Sequence, residues 1–414
     1  MFNKSIDYRN GNLHCDNVAI TDVAEEFGTP TYVYSLPRIL ENYHCLHSAF
    51  QGIDAHIHYS AKANANLTVL KTLIDAGAGI DAVSAGEIFR AIKAGAKPEN
   101  IVFAGVGKTV DELKYAIENN IGWINAENIE ECYHINEIAQ SLGKSSVKVA
   151  LRLNPNVTAN THPYIATGHG GAKFGLTANS VSRLLSKQSE LPYVDFAGIH
   201  IHIGSQLNDT VATCEAIQKA IDVITPYPKI KTLDIGGGLP VAYKPDESIP
   251  DINTFAEAIK PLIKDYTVIL EPGRSIVADA GLLITKVLYI KQQAGQTFVI
   301  VDASMAELLR PSLYKAHHEI VPVKRSTAPP KAMNIAGPIC ETADMLGRDV
   351  QLPDLKDGDL LAIMTTGAYG MVMASNYNAR PRPAEIVINK DGQSCSVARK
   401  RETWDSLIAD ELLG

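Results

Sequence analysis

The segment TLDIGGGLP (residues 232–240) places a short apolar run directly before three consecutive glycines. Apolar runs of this kind, without strict alternation of polar residues, are typical of parallel strands that are buried on both faces. The glycines mark the turn that ends such a strand. Seven similar runs, each followed by helical periodicity, occur between residues 35 and 280. They are HIHYS (56–60), GIDAV (79–83), IVFA (101–104), IGWIN (121–125), VKVALRL (147–153), AGIHIHI (197–203) and TVILE (267–271).

Eight successive strand–helix units predict an α/β fold, with a TIM-like (β/α)8 barrel over residues 36–280. A doubly wound open sheet is the alternative that the same pattern allows. Two of the helix starts carry the signal of a capping box. Ser84 stands three residues before Glu87, and Thr109 stands three residues before Glu112.

The pattern changes after residue 280. Short strand-like runs such as TFVIVDAS (297–304) and AEIVINK (384–390) are divided by Gly, Pro and Asp turns, without regular helical spacers. They predict a mostly antiparallel β domain over residues 281–414. The first 35 residues contain YVYS (32–35). We therefore expect residues 1–35 to join the β domain, with the barrel inserted between its two pieces.

The composition restricts the function classes. The 414 residues carry a formal net charge of −8, so the surface would not attract nucleic acid or an acidic membrane. No apolar run marks a signal peptide or a membrane span, and a cytoplasmic protein is expected. Its cysteines form no CxxC pair and are expected to be reduced thiols. They are Cys15, Cys45, Cys132, Cys214, Cys340 and Cys395.

In a (β/α)8 barrel the active site lies at the carboxyl ends of the strands. The residues that end or follow each predicted strand are therefore the candidates for chemistry. Polar, titratable and glycine-rich residues meet there: Lys62, Asp81, Ser84, Arg152, Asn154, His200, His202, Gly204, Ser205, Gly236, Gly237, Gly238, Glu271, Gly273 and Arg274.

Three of these features suggest one cofactor chemistry. The three glycine amides can form a nest for a phosphate, although a tight turn explains the same residues, and no GxGxxG spacing is present. Lys62 can form a Schiff base with an aldehyde, although a single lysine is more often a solvated charge. Glu271 can favour the protonated form of a pyridine nitrogen, and such a ring is a strong electron sink.

The histidines allow a competing interpretation. His56-Ile57-His58 and His200-Ile201-His202 place alternating histidines on one face of a strand, as in metal-dependent barrel hydrolases. A metal does not account for the glycine triplet or for Glu271 beside Arg274, and no metal is predicted. His202 can stack on a cofactor ring or be a satisfied core histidine.

The sequence closely resembles the diaminopimelate decarboxylase family, fold-type III enzymes that depend on pyridoxal phosphate (PLP) and are related to alanine racemase and ornithine decarboxylase. The resemblance spans nearly the whole chain. Its motifs are HYSAKAN (58–64), GAGIDAVSAGE (77–87), FAGVGKT (103–109), THPYIATG…KFGL (161–176), GIHIHIGSQ (198–206), DIGGGLP (234–240), EPGRS (271–275), LLRPSLYKAHH (308–318), GPICETAD (337–344) and GAYGMVMASNYNARPRP (367–383). A small departure is Ala343, where many relatives have Gly.

The resemblance implies a role for each candidate residue and an activity, the conversion of meso-2,6-diaminopimelate to L-lysine and CO2. Lys62 would hold PLP, Glu271 would pair with its ring nitrogen, and His202 would lie against the ring. The other cofactor-binding candidates are Asp81, Ser205, Gly237, Gly238, Gly273, Arg274 and Tyr369. The substrate-binding set would be Arg274, Arg310, Tyr314, Glu341 and Tyr369.

Cys340 gains a role only through the resemblance, since its spacing alone predicts one more buried thiol. It would be the proton donor, contributed with Glu341 by the opposite subunit of a homodimer with shared active sites. The Gly-rich segment 161–175 is a candidate lid. The rivals are a racemase or a decarboxylase of another basic amino acid, a non-catalytic PLP carrier, and a metal-dependent hydrolase.

Overall fold

The computed structural model describes residues 2–158 and 167–412. Residues 161–166 of the candidate lid lie outside the described residues. The chain forms two compact units. One comprises Met1–Asn42, Ala242–Ser248 and Ile276–Gly414, and the other comprises Tyr43–Val241 and Ile249–Ser275.

The N-terminal residues form a small antiparallel sheet and then a strand of a larger sheet. Their elements are β1 (Ile6–Arg9), β2 (Asn12–Cys15), β3 (Val18–Ala19), α1 (Ile20–Phe27), β4 (Thr31–Ser35) and α2 (Leu36–Ala49). The small sheet has the order β1-β2-β3. Its apolar side chains Ile6 and Leu13 are fully buried in a core shared with Val33 of β4.

The second unit contains a closed barrel of parallel strands, which confirms the predicted barrel over the open sheet. Closure is made by β12 pairing with β5. The strands are β5 (Ala55–Ser60), β6 (Gly79–Ala82), β7 (Ile101–Phe103), β8 (Trp123–Ala126), β9 (Val147–Arg152), β10 (Val194–His200), β11 (Thr232–Asp234) and β12 (Thr267–Leu270). The helices are α3 (Leu67–Asp75), α4 (Ala85–Lys93), α5 (Val110–Glu118), α6 (Ile129–Ser141), α7 (Ala178–Ser186), α8 (Val211–Ile224), α9 (Ile252–Ile263) and α10 (Arg274–Val277).

The two predicted capping boxes differ. At α5, Thr109 and Glu112 cap each other's backbone amides, as expected. At α4, Ser84 accepts from the Glu87 amide, but the Glu87 carboxylate accepts from the Val83 amide, so the box is only half formed. Glu87 instead lies in an environment where burial raises its pKa to about 7.

The C-terminal strands form a mostly antiparallel sheet, as predicted. The elements are β13 (Gly281–Gln293), β14 (Gln296–Val301), α11 (Arg310–Tyr314), β15 (Ile320–Pro322), β16 (Lys331–Ala336), β17 (Met345–Leu352), β18 (Leu360–Met364), β19 (Ala384–Ile388), β20 (Cys395–Arg399) and α12 (Trp404–Leu407). β4 pairs antiparallel with β13 and parallel with β19, so the YVYS run lies inside this sheet. In the described parts of the chain, no helix is both long and apolar enough to cross a bilayer.

The barrel also buries a lysine beside β8. The side chain of Lys108 is 1% exposed, and its Nζ lies 2.7 Å from Glu131 Oε1, whose side chain is 5% exposed. The same ammonium donates to the carbonyl oxygens of Gly105 at 2.8 Å and Asn125 at 2.6 Å. All three ammonium hydrogens therefore have acceptors, which is the condition for burying this charge without a large penalty.

We predict that Lys108→Ala lowers the free energy of unfolding by about 3–5 kcal/mol, because it leaves the Glu131 carboxylate buried without its cation. Thermal unfolding followed by circular dichroism measures the effect. Lys71→Ala is the matched control, since Lys71 and Asp75 form an exposed ion pair worth less than about 1 kcal/mol. Equal losses in both variants would contradict the prediction.

Candidate active site

Lys62 follows β5 in a short helical turn, Ala61–Ala63. Its Nζ lies 3.5 Å from Asp81 Oδ2, and its side chain is 38% exposed while that of Asp81 is fully buried. Ser60 Oγ donates to the same Asp81 oxygen at 2.5 Å. Burial and the nearby Glu271 raise the pKa of Asp81. Lys62 is therefore a partly exposed amine beside a buried acid at a strand end.

The glycine turn after β11 is packed against the loops of both neighbouring strands. A Cβ on Gly237 would lie 2.3 Å from the Glu271 carbonyl oxygen, and one on Gly238 would lie 2.7 Å from the Gly204 carbonyl oxygen. Gly236 has φ +67° and Gly238 has φ +104°, conformations that favour glycine. Because these positions carry no side chain, the loops that follow β10, β11 and β12 can pack closely against one another.

Two of the three glycine amides donate hydrogen bonds within the chain. Gly236 N–H donates to Asp234 Oδ1 at 3.0 Å, and Gly237 N–H donates to His202 Nδ1 at 3.2 Å. The triplet is thus a tight turn that also orients a histidine.

His202 follows β10, and its ring is fixed by the Gly237 bond. Because Nδ1 accepts, the neutral ring carries its proton on Nε2. Burial and the positive charges of Lys62 and Arg152 hold the pKa of His202 well below its ordinary value. The ring is therefore a neutral, oriented, flat surface beside Lys62, suited to lie against an aromatic ring.

Glu271 directly follows β12 and lies in a buried polar cluster. Its Oε1 accepts from Asn125 Nδ2 at 3.2 Å, and its Oε2 lies 3.5 Å from His200 Nε2. Burial alone would raise the pKa of Glu271, but His200 and Lys62 hold it below its ordinary value. Burial and the Glu271 charge raise the pKa of Asp234 well above its ordinary range. The cluster therefore favours Glu271 as its charged carboxylate.

Arg274 and Ser205 form a cationic, hydroxyl-bearing surface at the same strand ends. Nε and one terminal nitrogen of the buried Arg274 each lie 3.3 Å from Ser205 Oγ. The next hydroxyl, Ser275 Oγ, is buried and has no hydrogen-bond partner among residues 2–158 and 167–412. Gly273 lets this loop approach the end of β5 and the turn after it, since a Cβ there would lie 3.1 Å from Ser60 Cβ and 3.0 Å from Ala63 Cβ. Such donors suit an anionic phosphate.

The metal alternative has one candidate cluster in the described chain, formed by His200, Asp234 and Glu271, whose ligand atoms lie within 4.8 Å of one another. The first histidine pair does not contribute to it. His56 is exposed and lies 3.2 Å from Asp54, while burial lowers the pKa of His58 to about 4. The two HIH sequences therefore do not form a joint site.

In the β-sheet unit, Arg310 begins α11 and its guanidinium is buried. A terminal nitrogen lies 2.8 Å from His318 Nε2, and His318 Nδ1 lies 2.9 Å from the Met364 carbonyl oxygen. The guanidinium also stacks 4.5 Å above the Tyr243 ring. Tyr314 ends the same helix, and Tyr369 has φ +55°.

Cys340 and Glu341 lie on the surface of the β-sheet unit, which corrects the expectation of a buried Cys340 thiol. Cys340 Sγ–H donates to Asn378 Oδ1 at 3.4 Å. Tyr377 donates to Glu341 at 2.5 Å, and this bond raises the pKa of the phenol. Both side chains are thus held by one loop.

Several residues that hold the candidates in place have no role predicted from the sequence. His318, Tyr377 and Asn378 lie inside quoted motifs, so the motifs could have pointed to them. Tyr243 lies outside the family motifs, and Asn125 ends the predicted strand run IGWIN (121–125), where its position at a strand end was the available signal. Only the folded chain places Tyr243 against Arg310 and Asn125 between two carboxyl groups.

The residues at the strand ends fit PLP. Lys62 offers an amine for its aldehyde, Glu271 an acid for its ring nitrogen, and His202 a neutral flat ring. The Arg274 cation and the Ser275 hydroxyl can both bind its phosphate. The family model of the pyridoxal binding domain of pyridoxal-dependent decarboxylases matches residues 36–278. The chain belongs to the pyridoxal-dependent decarboxylases. Its cofactor is pyridoxal phosphate, and its reaction class is that of a carboxy-lyase.

Relatives match over nearly the whole chain. A diaminopimelate decarboxylase of Aquifex aeolicus (strain VF5) is 42% identical over 417 residues, covering 99% of this chain and 98% of the relative. The structure of diaminopimelate decarboxylase from M. jannaschii in complex with L-lysine has TM-score 0.93 and 37% identity, covering 100% of this chain and 98% of its own. The Helicobacter pylori structure, also with L-lysine, has TM-score 0.90 and 39% identity, with coverages of 94% and 98%. The resemblance to the diaminopimelate decarboxylase family is confirmed.

We predict that Lys62→Ala loses both the visible absorption of bound PLP and the decarboxylase activity, because it removes the amine that lies beside Asp81. Absorption spectra of the purified protein with added PLP measure the first, and CO2 release measures the second. Lys71→Ala, which removes an exposed lysine from α3, should keep both. An unchanged spectrum in Lys62→Ala would rule out the assignment.

Proposed function

We propose that the chain decarboxylates meso-2,6-diaminopimelate to L-lysine and CO2, the last step of lysine biosynthesis by the diaminopimelate route. The observation that carries the proposal is the 42% identity to a diaminopimelate decarboxylase across 99% of the chain, through the barrel and the β-sheet unit alike. Free thiols at all six cysteines are consistent with a cytoplasmic enzyme.

The barrel, residues 36–280 in this proposal, holds the cofactor. Lys62 would hold it covalently, Ser205, Gly237, Gly238 and Arg274 would surround its phosphate, and Gly273 would belong to the same binding site. Asp81 holds the lysine amine by charge and hydrogen bonding. His202 supports one ring face, and the Glu271 carboxylate keeps the ring nitrogen protonated. PLP bound in this way supplies the electron sink for the bond that breaks.

The residues proposed to bind the substrate are Arg274 of the barrel and Arg310, Tyr314, Glu341 and Tyr369 of the β domain. Arg310 and Arg274 present planar cations that suit carboxylate groups, because a guanidinium binds a carboxylate bidentately. His318 and Tyr243 hold the Arg310 guanidinium in one orientation. Glu341 suits the distal ammonium of the substrate, and Tyr314 and Tyr369 complete the set. This combination favours a distal amino-carboxylate group over the plain ammonium of ornithine.

Proton transfer completes the reaction. When CO2 leaves, the Cα needs a proton, and Cys340 delivers it from Sγ. In the proposal the β domain, residues 1–35 and 281–414, contributes Cys340 and Glu341 to the active site of the partner subunit in a homodimer. Their exposure in the single chain is compatible with such a role.

The rival functions make different demands on these residues. A racemase of this fold places an arginine against the pyridine nitrogen, whereas this chain has Glu271. A PLP carrier corresponds to the barrel alone, whereas the relatives match both units. A metal-dependent hydrolase would need the His200 cluster to bind metal, and metal analysis of the purified protein separates it from the PLP enzyme.

The substrate is tested by incubating the holoenzyme separately with meso-diaminopimelate, L-lysine and L-ornithine. We expect CO2 release with meso-diaminopimelate alone, in equal amount with L-lysine, because only this substrate offers the distal carboxylate that Arg310 suits. Trapped CO2 and chiral chromatography of the products give the result. Preferred release of CO2 from ornithine, or inversion of Cα without CO2, would refute the proposal.

Shared active sites are tested by mixing Lys62→Ala with Cys340→Ala after dissociating the subunits. If each site takes Lys62 from one chain and Cys340 from the other, each mixed dimer has one intact site. Random reassociation should then restore about a quarter of the wild-type activity. Each variant carried through the same treatment alone is the control. A mixture no more active than its components would contradict shared sites.

A further inference from the structure

Asn125 on β8 joins two carboxyl groups inside the barrel. The side chain is 1% exposed. Its Nδ2 lies 2.8 Å from Asp234 Oδ2 and 3.2 Å from Glu271 Oε1. A carboxamide nitrogen carries two hydrogens, so it can donate to both carboxyl groups at once. Neither the family resemblance nor the sequence pattern assigned this residue a role.

We propose that Asn125 is a positioning residue, which fixes the Glu271 carboxylate in the orientation that faces the ring nitrogen of PLP. The inference rests on the proposed role of Glu271. Asn125 itself acts through Glu271 and carries out no chemical step.

The backbone of Asn125 is itself anchored. Its carbonyl oxygen accepts from the buried Lys108 ammonium at 2.6 Å, which also pairs with Glu131 at 2.7 Å. β8 pairs in register with β9, where Asn125 lies opposite Ala150. The carboxamide therefore projects from a fixed point toward the two carboxyl groups, and its direction does not depend on a loop.

Glu271 needs such a donor because of its surroundings. Two other acids, Asp234 and Asp81, face it, while Lys62, His200 and His58 are its nearby bases. The pKa of Asp234 is raised and that of Glu271 is lowered, so Glu271 carries the negative charge and Asp234 is protonated. A donor to Glu271 Oε1 stabilises that charge and limits rotation of a flexible side chain.

The first test uses the holoenzyme reconstituted with PLP that carries 15N in the pyridine ring, observed by NMR. The wild type should give the signal of a protonated ring nitrogen. In Asn125→Ala, we expect the signal to move toward the unprotonated position and kcat to fall about tenfold or more, with KM nearly unchanged, because a hydrogen bond to a charged group is lost.

The control variant is Asn119→Ala. Asn119 lies in the same barrel, directly after α5, and its side chain donates to the Tyr115 carbonyl oxygen at 2.8 Å. The end of α5 leads into the amino end of β8, so Asn119 is away from the carboxyl ends of the strands. This variant should leave the 15N signal and kcat unchanged. Folded Asn125→Ala enzyme with the wild-type 15N signal would overturn the inference.

A wild-type crystal structure with PLP gives a second test that does not depend on the folding of a variant. We expect Asn125 Nδ2 within hydrogen-bond distance of Glu271, with the other Glu271 oxygen facing the ring nitrogen. A Glu271 carboxylate turned away from Asn125 would overturn the inference.

The 15N signal of the wild-type holoenzyme also distinguishes the role of Glu271 from that of Asn125. An unprotonated ring nitrogen in the wild type would refute the role of Glu271. A protonated ring nitrogen that Asn125→Ala leaves unchanged would refute only the role of Asn125.

Discussion

The close approach of three strand-end loops is the constraint on which the site depends. A side chain on Gly237 would collide with the Glu271 backbone, and one on Gly238 with the backbone of Gly204. Without side chains at these points, the ends of β10, β11 and β12 pack together. His202, Ser205, Glu271 and Arg274 are thereby held side by side by backbone packing, which is more rigid than side-chain contacts between loops.

The electrostatics follow from that packing. Several acids and bases are buried at one end of a barrel, where each charge needs an opposite charge or a hydrogen-bond donor close by. Lys62 forms an ion pair with Asp81, and Asn125 donates hydrogen bonds to both Glu271 and Asp234. The network leaves Glu271 charged and His202 neutral, and these are the states that a protonated pyridine ring and a flat supporting surface require.

The sequence was sufficient to predict the elements whose signals lie within a few neighbouring residues. The apolar runs predicted the barrel strands, and Thr109 and Glu112 predicted a helix cap, because strand burial and capping depend on neighbouring residues. Prediction failed where the partner lies far along the chain. Gly237 donates to His202, 35 residues earlier. Asn125 and Asp234 are 109 residues apart, so no spacing rule connects them. The half-formed capping box at α4 is instead a local failure, since Glu87 accepts from the amide of Val83, four residues before it.

Cys340, the proposed proton donor, shows why a reactive thiol can be missed from spacing alone. A cysteine is most often a small buried apolar residue, and the chain offers no neighbouring pattern that marks this one as reactive. The structure places it on the surface, where Asn378 accepts its thiol hydrogen while Tyr377 holds Glu341. Proton delivery to a carbanion needs a site that excludes water, because solvent would otherwise supply the proton without control. An exposed thiol can meet that need only when another surface covers it, and the shared site of a homodimer supplies such a surface in the proposed mechanism.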